Sequence, residues 1–113
     1  MNKKQQSAIG VARATLYFSE KGYPVFVPVT DCSRYDLIVD IDGILNRVEV
    51  KTVNSKTDAV ELRTLGGNQS WSGEVKRISE CDCDIVFMYN IRTQGFKVMT
   101  SQELSGRRSI RVR

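Results

Sequence analysis

Apolar and polar positions along the chain follow two periods. In residues 3 to about 21, Ile9, Ala12 and Leu16 recur at helical spacing, Val11, Thr15 and Phe18 flank them, and Gly22 supplies a stop. This predicts a first helix packing that stripe inward. Gly10 within it either weakens the helix by ~1 kcal/mol or marks a close backbone approach.

A period of two follows. Residues 24–28 read as a short strand with a proline at each end, hence an edge or first strand. Residues 31–34 are a polar connection. Residues 35–41 and 44–53 alternate and are joined by Asp42-Gly43, a pair suited to a type I′ turn because both central residues need positive φ. Residues 54–73 are polar and Gly-rich, with a strand at 60–65, and a stretch that long in so small a domain points to function. Residues 72–80 predict a short helix capped by Ser70 or Ser72, with Val75 and Ile78 inward. Residues 84–89 are nearly all apolar, as in a strand buried on both faces, and residues 95–99 are its neighbour. Thr100 to Glu103 form a capping box opening a short helix. The order predicts a mixed α/β class: one sheet with flanking helices, in a single domain covering residues 1–113.

Composition then narrows the chemistry. No window has the ~18 consecutive apolar residues of a membrane span, and the N-terminus lacks a signal-peptide core, so a soluble cytoplasmic protein is expected. The net charge of +4 sits in the basic C-terminal tail, residues 107–113, where Arg107, Arg108, Arg111 and Arg113 meet no acid. That tail is either a contact for a polyanion or a solvated terminus. Three cysteines, Cys32, Cys81 and Cys83, are an odd set that reads as reduced thiols, and with no histidine a closed zinc site lacks its fourth ligand. Without histidine, the Ser-His and Cys-His arrangements are excluded, so catalysis must use carboxylates, lysine or a metal.

The hairpin brings such groups together. A two-residue Asp42-Gly43 loop sets Ile41 opposite Ile44, Asp40 opposite Leu45, Ile38 opposite Arg47 and Asp36 opposite Glu49, with Lys51 on the same face. The other face collects Leu37, Val39, Ile41, Ile44, Val48 and Val50, fit to pack on the first helix. Two carboxylates whose Cβ atoms stand ~5 Å apart repel unless a cation intervenes. Lys51 meets part of that need; Mg²⁺, which takes few protein carboxylates and completes its shell with water and phosphate oxygens, meets it better, with the Val50 carbonyl as a further ligand. Lys51 is then placed to hold the attacking water or neutralise charge on a phosphate.

Asp36, the hairpin turn and Glu49-Val50-Lys51 resemble the Asp…Glu-x-Lys motif of the PD-(D/E)XK nuclease superfamily, which sits on such a hairpin behind an N-terminal helix. The resemblance spans most of the chain and looks closest to small phage- and intron-associated homing endonucleases and resolvase-like members. It implies a restriction-endonuclease-like αβββαβ core and a mixed central sheet. It also implies a Mg²⁺-dependent DNA endonuclease, Mn²⁺ being a substitute, with Asp36 and Glu49 as metal ligands and Lys51 as the catalytic lysine. Tyr35 stands where the motif has proline, and Ser7-Ala8-Ile9-Gly10 where many members carry an early helix acid. A one-metal site, a contact from Gln5 or Gln6 through water, and lost activity therefore all stay open.

Candidate DNA contacts are Arg34, Arg47, Lys56, Arg63, Lys76 and Arg77 for phosphates, with Asn68 and Gln69 as side chains of the type that read adenine. Trp71 reads as a core anchor. The tail, alternating through Ile110 and Val112, is an edge strand with a basic face or a swapped strand. The expected activity is site-specific, homing-type cleavage of double-stranded DNA by a homodimer or higher homo-oligomer. A Holliday-junction resolvase acting on branched DNA and a catalytically inactive DNA-binding module are the competing readings.

Overall fold

The computed structural model describes residues 1–30, 33–54, 56–65, 75–77 and 83–113, with the backbone alone for 63–65 and 75–77. Helix α1 (Lys3–Glu20) opens on a capping box in which Gln5 N–H donates to Asn2 Oδ1 at 2.8 Å and Asn2 N–H to Gln5 Oε1 at 2.9 Å. Gly22, at φ +82°, ends it.

The helix buries only part of the stripes its hydrophobicity predicts: Ile9 and Val11 pack against the core beside buried Phe18. Gly10, Ala14 and Phe18 face the core, whereas Ala12 is exposed and Leu16 is 51% exposed. The reason is clearance. A Cβ at Gly10 would lie 1.9 Å from Thr52 Oγ1 and 3.1 Å from Val50 Cγ1, so the helix backbone rests directly on the strand beneath.

That strand is β3 (Ile44–Val53), the centre of a five-stranded sheet ordered β1-β2-β3-β7-β8. The others are β1 (Val25–Phe26), β2 (Leu37–Ile41), β7 (Ile85–Asn90) and β8 (Gly95–Thr100). All pair antiparallel except β3 with β7, which is parallel, so the sheet is mixed as expected. The predicted hairpin register holds from Ile41↔Ile44 to Leu37↔Val48, with Asp42 and Gly43 at φ 53° and 88°.

β7 is buried at every position. On the α1 side it joins Ala14, Phe18, Leu37, Val39 and Val48. On the other side Val86 and Met88 meet a second core of Val60, Leu62, Cys83, Leu104, Ile110 and Val112. Cys83 is buried in that second core; Cys32, Cys81 and Trp71 lie outside the described residues.

Between β3 and β7 the predicted strand at 60–65 breaks at buried Leu62 into β4 (Ala59–Glu61) and β5 (Arg63–Leu65). The helix expected at 72–80 is not formed at its centre. There β6 (Val75–Arg77) pairs antiparallel with β5, setting Arg63 against Arg77 and Thr64 against Lys76. A helix of so few residues has a costly nucleus, and a ladder partner satisfies the same backbone groups. The remainder of that segment lies outside the described residues.

The basic tail is part of the fold. After α2 (Ser101–Leu104), whose Thr100–Glu103 capping box forms as predicted, β9 (Ser109–Arg111) pairs with β4. Ile110 and Val112 enter the second core while Ser109, Arg111 and Arg113 stay exposed. The chain end is fastened by Val112: its N–H donates to the Asp58 carbonyl at 2.8 Å and its carbonyl accepts from Asn90 Nδ2 at 2.9 Å. Asn90, fully buried, also donates to Asp58 Oδ1, which pairs with Arg92. No helix of the described residues is long and apolar enough to cross a membrane.

The helix–strand contact is testable. Gly10→Ala improves intrinsic helix propensity by ~1 kcal/mol yet places a methyl against Thr52, an overpacking costing about 1–3 kcal/mol. We expect a lower urea midpoint for Gly10→Ala, partly recovered in the Gly10→Ala, Thr52→Ala double variant.

Candidate functional site

The site grows from the end of the β2–β3 ladder. β2 stops at Leu37, and Asp36 does not continue as the ladder partner of Glu49. Its N–H instead donates to the Val48 carbonyl at 2.9 Å, and its Oδ2 accepts from the Val50 N–H at 2.8 Å. The two bonds bracket Glu49, so the direct pairing of Asp36 with Glu49 that the register predicts gives way to a side-chain clasp on the β3 edge. Because the N–H and C=O of one strand residue point to the same side, the Val50 carbonyl shares that edge.

Glu49 and Lys51 lie on the opposite face from Gly10, in register with Val86 and Met88. Their exposures are only 18% and 23%, and Lys51 Nζ lies 3.9 Å from Glu49 Oε1. Asp36 is half-buried. Burial pushes its carboxyl above the usual carboxylate range, opposed by the Val50 N–H and by the charge of Lys51. The lysine therefore acts on both carboxylates, and a partly desolvated anion remains.

A hard cation suits these donors. Two carboxylates and a main-chain carbonyl are oxygen ligands of the kind Mg²⁺ takes, and Asp36 is an anion whose ionisation a nearby cation would favour. Among the described residues there is no cluster of three or more His, Cys, Asp or Glu side chains that could hold a metal, so a metal here would rely on few carboxylates and on water. Asp36 also borders an open concavity with Val11, Val27, Pro28, Thr30, Ser33 and Tyr35.

The predicted DNA-contacting residues separate into groups. Arg34 and Lys56 are exposed, Arg34 just before Asp36 and Lys56 in the turn after β3. Arg63, Lys76 and Arg77 come together on the β5–β6 ribbon. Asn68 and Gln69 lie outside the described residues. Arg47 has a partner that sequence reasoning missed: its Nε and a terminal nitrogen each donate to Asp84 at 3.1 Å, and its N–H donates to Asp84 Oδ2 at 2.7 Å. Asp84 N–H returns a bond to the Arg47 carbonyl at 2.9 Å, pinning the parallel pairing of β3 with β7. The available sign was an acid heading an apolar strand run.

Comparison with known proteins bears on this arrangement. A family model described as PD-(D/E)XK endonuclease matches residues 1–113. Among solved structures the fold is similar to that of a bacterial homing endonuclease, with a TM-score of 0.77 and 24% identity, over 98% of this chain and 78% of that one. A search of curated proteins finds no match.

The pinning pair sets an acid limit on the fold. Arg47 holds the Asp84 carboxyl below its usual range, as Arg92 does for Asp58, so the unfolded chain takes up those protons first as pH falls. Their stabilisation is complete above the ordinary carboxylate range near pH ~4 and is lost as pH drops through the lowered folded values. Asp84→Asn is expected to cost about 1 kcal/mol at pH 7 and to flatten the decline in melting temperature between pH 5 and pH 2. Thermal melts across that range check both.

Proposed function

The chain belongs to the PD-(D/E)XK endonuclease family, and from that premise we propose that it is a Mg²⁺-dependent DNA endonuclease of the site-specific homing type, Mn²⁺ serving as a substitute. The observation that carries this reading is the clasp of Asp36 on the Val50 N–H beside Glu49, with Lys51 3.9 Å from that glutamate. The similarity of fold to a bacterial homing endonuclease supports site-specific cleavage over junction resolution. Three cysteines, an odd set, are in keeping with a reducing compartment such as the cytoplasm.

Asp36 and Glu49, with the Val50 carbonyl, would hold the cation. A divalent ion bound there supplies Lewis-acid polarisation of the scissile phosphodiester. Lys51 orients the attacking water and offsets the negative charge that builds on the phosphoryl oxygens. As water adds to phosphorus, the bond to the leaving oxygen breaks, giving one phosphate monoester and one hydroxyl end. The half-buried setting of Glu49 and Lys51 strengthens these charge interactions relative to bulk water.

Exposed Arg34, two residues before Asp36, and exposed Lys56, five after Lys51, neutralise backbone phosphates of double-stranded DNA. Arg63, Lys76 and Arg77 place three cations on a two-stranded ribbon, an element the major groove admits, and the connecting segment carries Asn68 and Gln69 for base reading. Arg47, forked onto Asp84, acts first as a pin for β3. With one site per chain, cutting both strands of a duplex calls for a homodimer or higher assembly.

The chemistry is tested by incubating the protein with linear duplex, supercoiled plasmid and a four-way junction. Cleavage of duplex is expected with Mg²⁺ or Mn²⁺ and none with EDTA. Lys51→Ala should lower the cleavage rate constant about 10²- to 10³-fold. Glu49→Ala should do at least as much, both variants keeping the wild-type melting profile. Full activity in either variant would overturn the site, preferential cutting of the junction would favour the resolvase reading, and binding without cleavage of any substrate would leave a DNA-binding module.

A further inference from the structure

The Leu16 end of the apolar stripe on α1 is left with no cover among the described residues, while Ile9 packs against the core. Leu16 is 51% exposed and Phe96, on β8 at the open edge of the sheet, is 50% exposed. Tyr17 joins them, its ring 5.4 Å from that of Phe96, which stacks on Phe87 at 5.6 Å and 14°. The three border a shallow hollow that also takes in Arg13, Glu20, Phe87, Tyr89 and Gln94. An aromatic and aliphatic patch of this kind on a helix beside the sheet's edge strand fits protein contact better than phosphate contact.

The charges around it name the occupant. Arg13, Leu16, Tyr17 and Glu20 lie on one helical stripe, at successive spacings of three, one and three residues. Arg13 therefore sits about one turn before the apolar centre and Glu20 about one turn after it. Arg13 packs over the Tyr89 ring at 5.3 Å, Lys21 over the Tyr17 ring at 5.1 Å, and Glu20 makes no ion pair among the described residues. A twofold axis through Leu16 and Tyr17, running two α1 helices antiparallel, sets Arg13 of each copy against Glu20 of the other and closes both apolar patches together.

We propose that this face is the docking surface for a second copy of the chain, with Leu16, Tyr17 and Phe96 at its centre and reciprocal Arg13–Glu20 pairs at its rim. It deepens the assembly named above by giving it a surface. Glu49 and Lys51 lie across the sheet from α1, so the contact leaves the candidate site open to DNA.

Sedimentation equilibrium on the full chain, without DNA, tests this. The wild type should show a reversible monomer–dimer equilibrium. Leu16→Glu should weaken it at least tenfold with an unchanged melting temperature, since that side chain is already half in solvent. Arg13→Glu alone and Glu20→Arg alone should each weaken association about tenfold, through like charges meeting across the axis, and the double swap Arg13→Glu, Glu20→Arg should restore it. A wild type monomeric at all concentrations, an association indifferent to Leu16→Glu, or a double swap no better than the single ones would each overturn the proposal. Lys51→Ala, which reads the chemistry, should dimerise like the wild type, so failure of the catalytic reading and failure of this contact give different results.

Discussion

The arrangement rests on a single substitution of partners at the edge of β3. Once β2 stops pairing at Leu37, the Val50 N–H needs an acceptor, and the Asp36 carboxylate takes that place at 2.8 Å. An unpaired backbone donor at a half-buried position costs on the order of 1–3 kcal/mol, so the carboxylate is held where the ladder would have continued. The cost moves to Asp36 itself, whose ionised form is disfavoured by burial. Backbone satisfaction and a poorly solvated anion are thus one feature, and they occur beside Glu49 and Lys51.

Everything else serves to keep β3 where that exchange can happen. From one face α1 presses down through Gly10, so close that a single methyl does not fit. At the strand's entry the Arg47–Asp84 fork and its two backbone bonds fix the parallel alignment with β7, which puts Glu49 level with Val86 and Lys51 level with Met88. From the second face the β4–β9 pair brings Ile110 and Val112 over Val86 and Met88. A strand gripped from both faces and both flanks has little freedom to shift register, and a shift of one residue would carry Glu49 and Lys51 to the wrong side.

How much of this was legible depended on whether a residue's role was local. Asp42-Gly43 dictates its own turn, and alternation on either side dictates which residues share a face, so the hairpin and its register as far as Leu37 and Val48 could be placed from the sequence alone, while the departure at Asp36 could not. The β7 run and the Thr100 capping box were legible for the same reason. Contacts between distant segments were not. Hydrophobicity weighs Leu16 above Gly10, but the buried face of α1 was decided by backbone clearance over Thr52, a property of β3. Val75 to Arg77 carries helical spacing toward Ile78, yet its partner is β5 in the preceding segment. The Asp84 that occupies Arg47 is 37 residues away and is brought near only by a parallel pairing.

The basic tail shows how charge counting and structure divide the work. Its four arginines account for the net charge, which makes it the obvious polyanion contact. In the fold the apolar residues between them matter first. Ile110 and Val112 close the second core, the buried Asn90 and Asp58 fasten Val112, and Gly95 has no room for a Cβ against the last carbonyl. Burying two aliphatic side chains is worth about 1.5–3 kcal/mol each, more than exposed arginines contribute by any surface pairing. Arg111 is consequently held on an ordered strand and Arg113 just beyond it, both exposed. The same packing that hides the apolar residues therefore decides where those two charges stand, and the tail's charge follows from its strand instead of forming a separate arm.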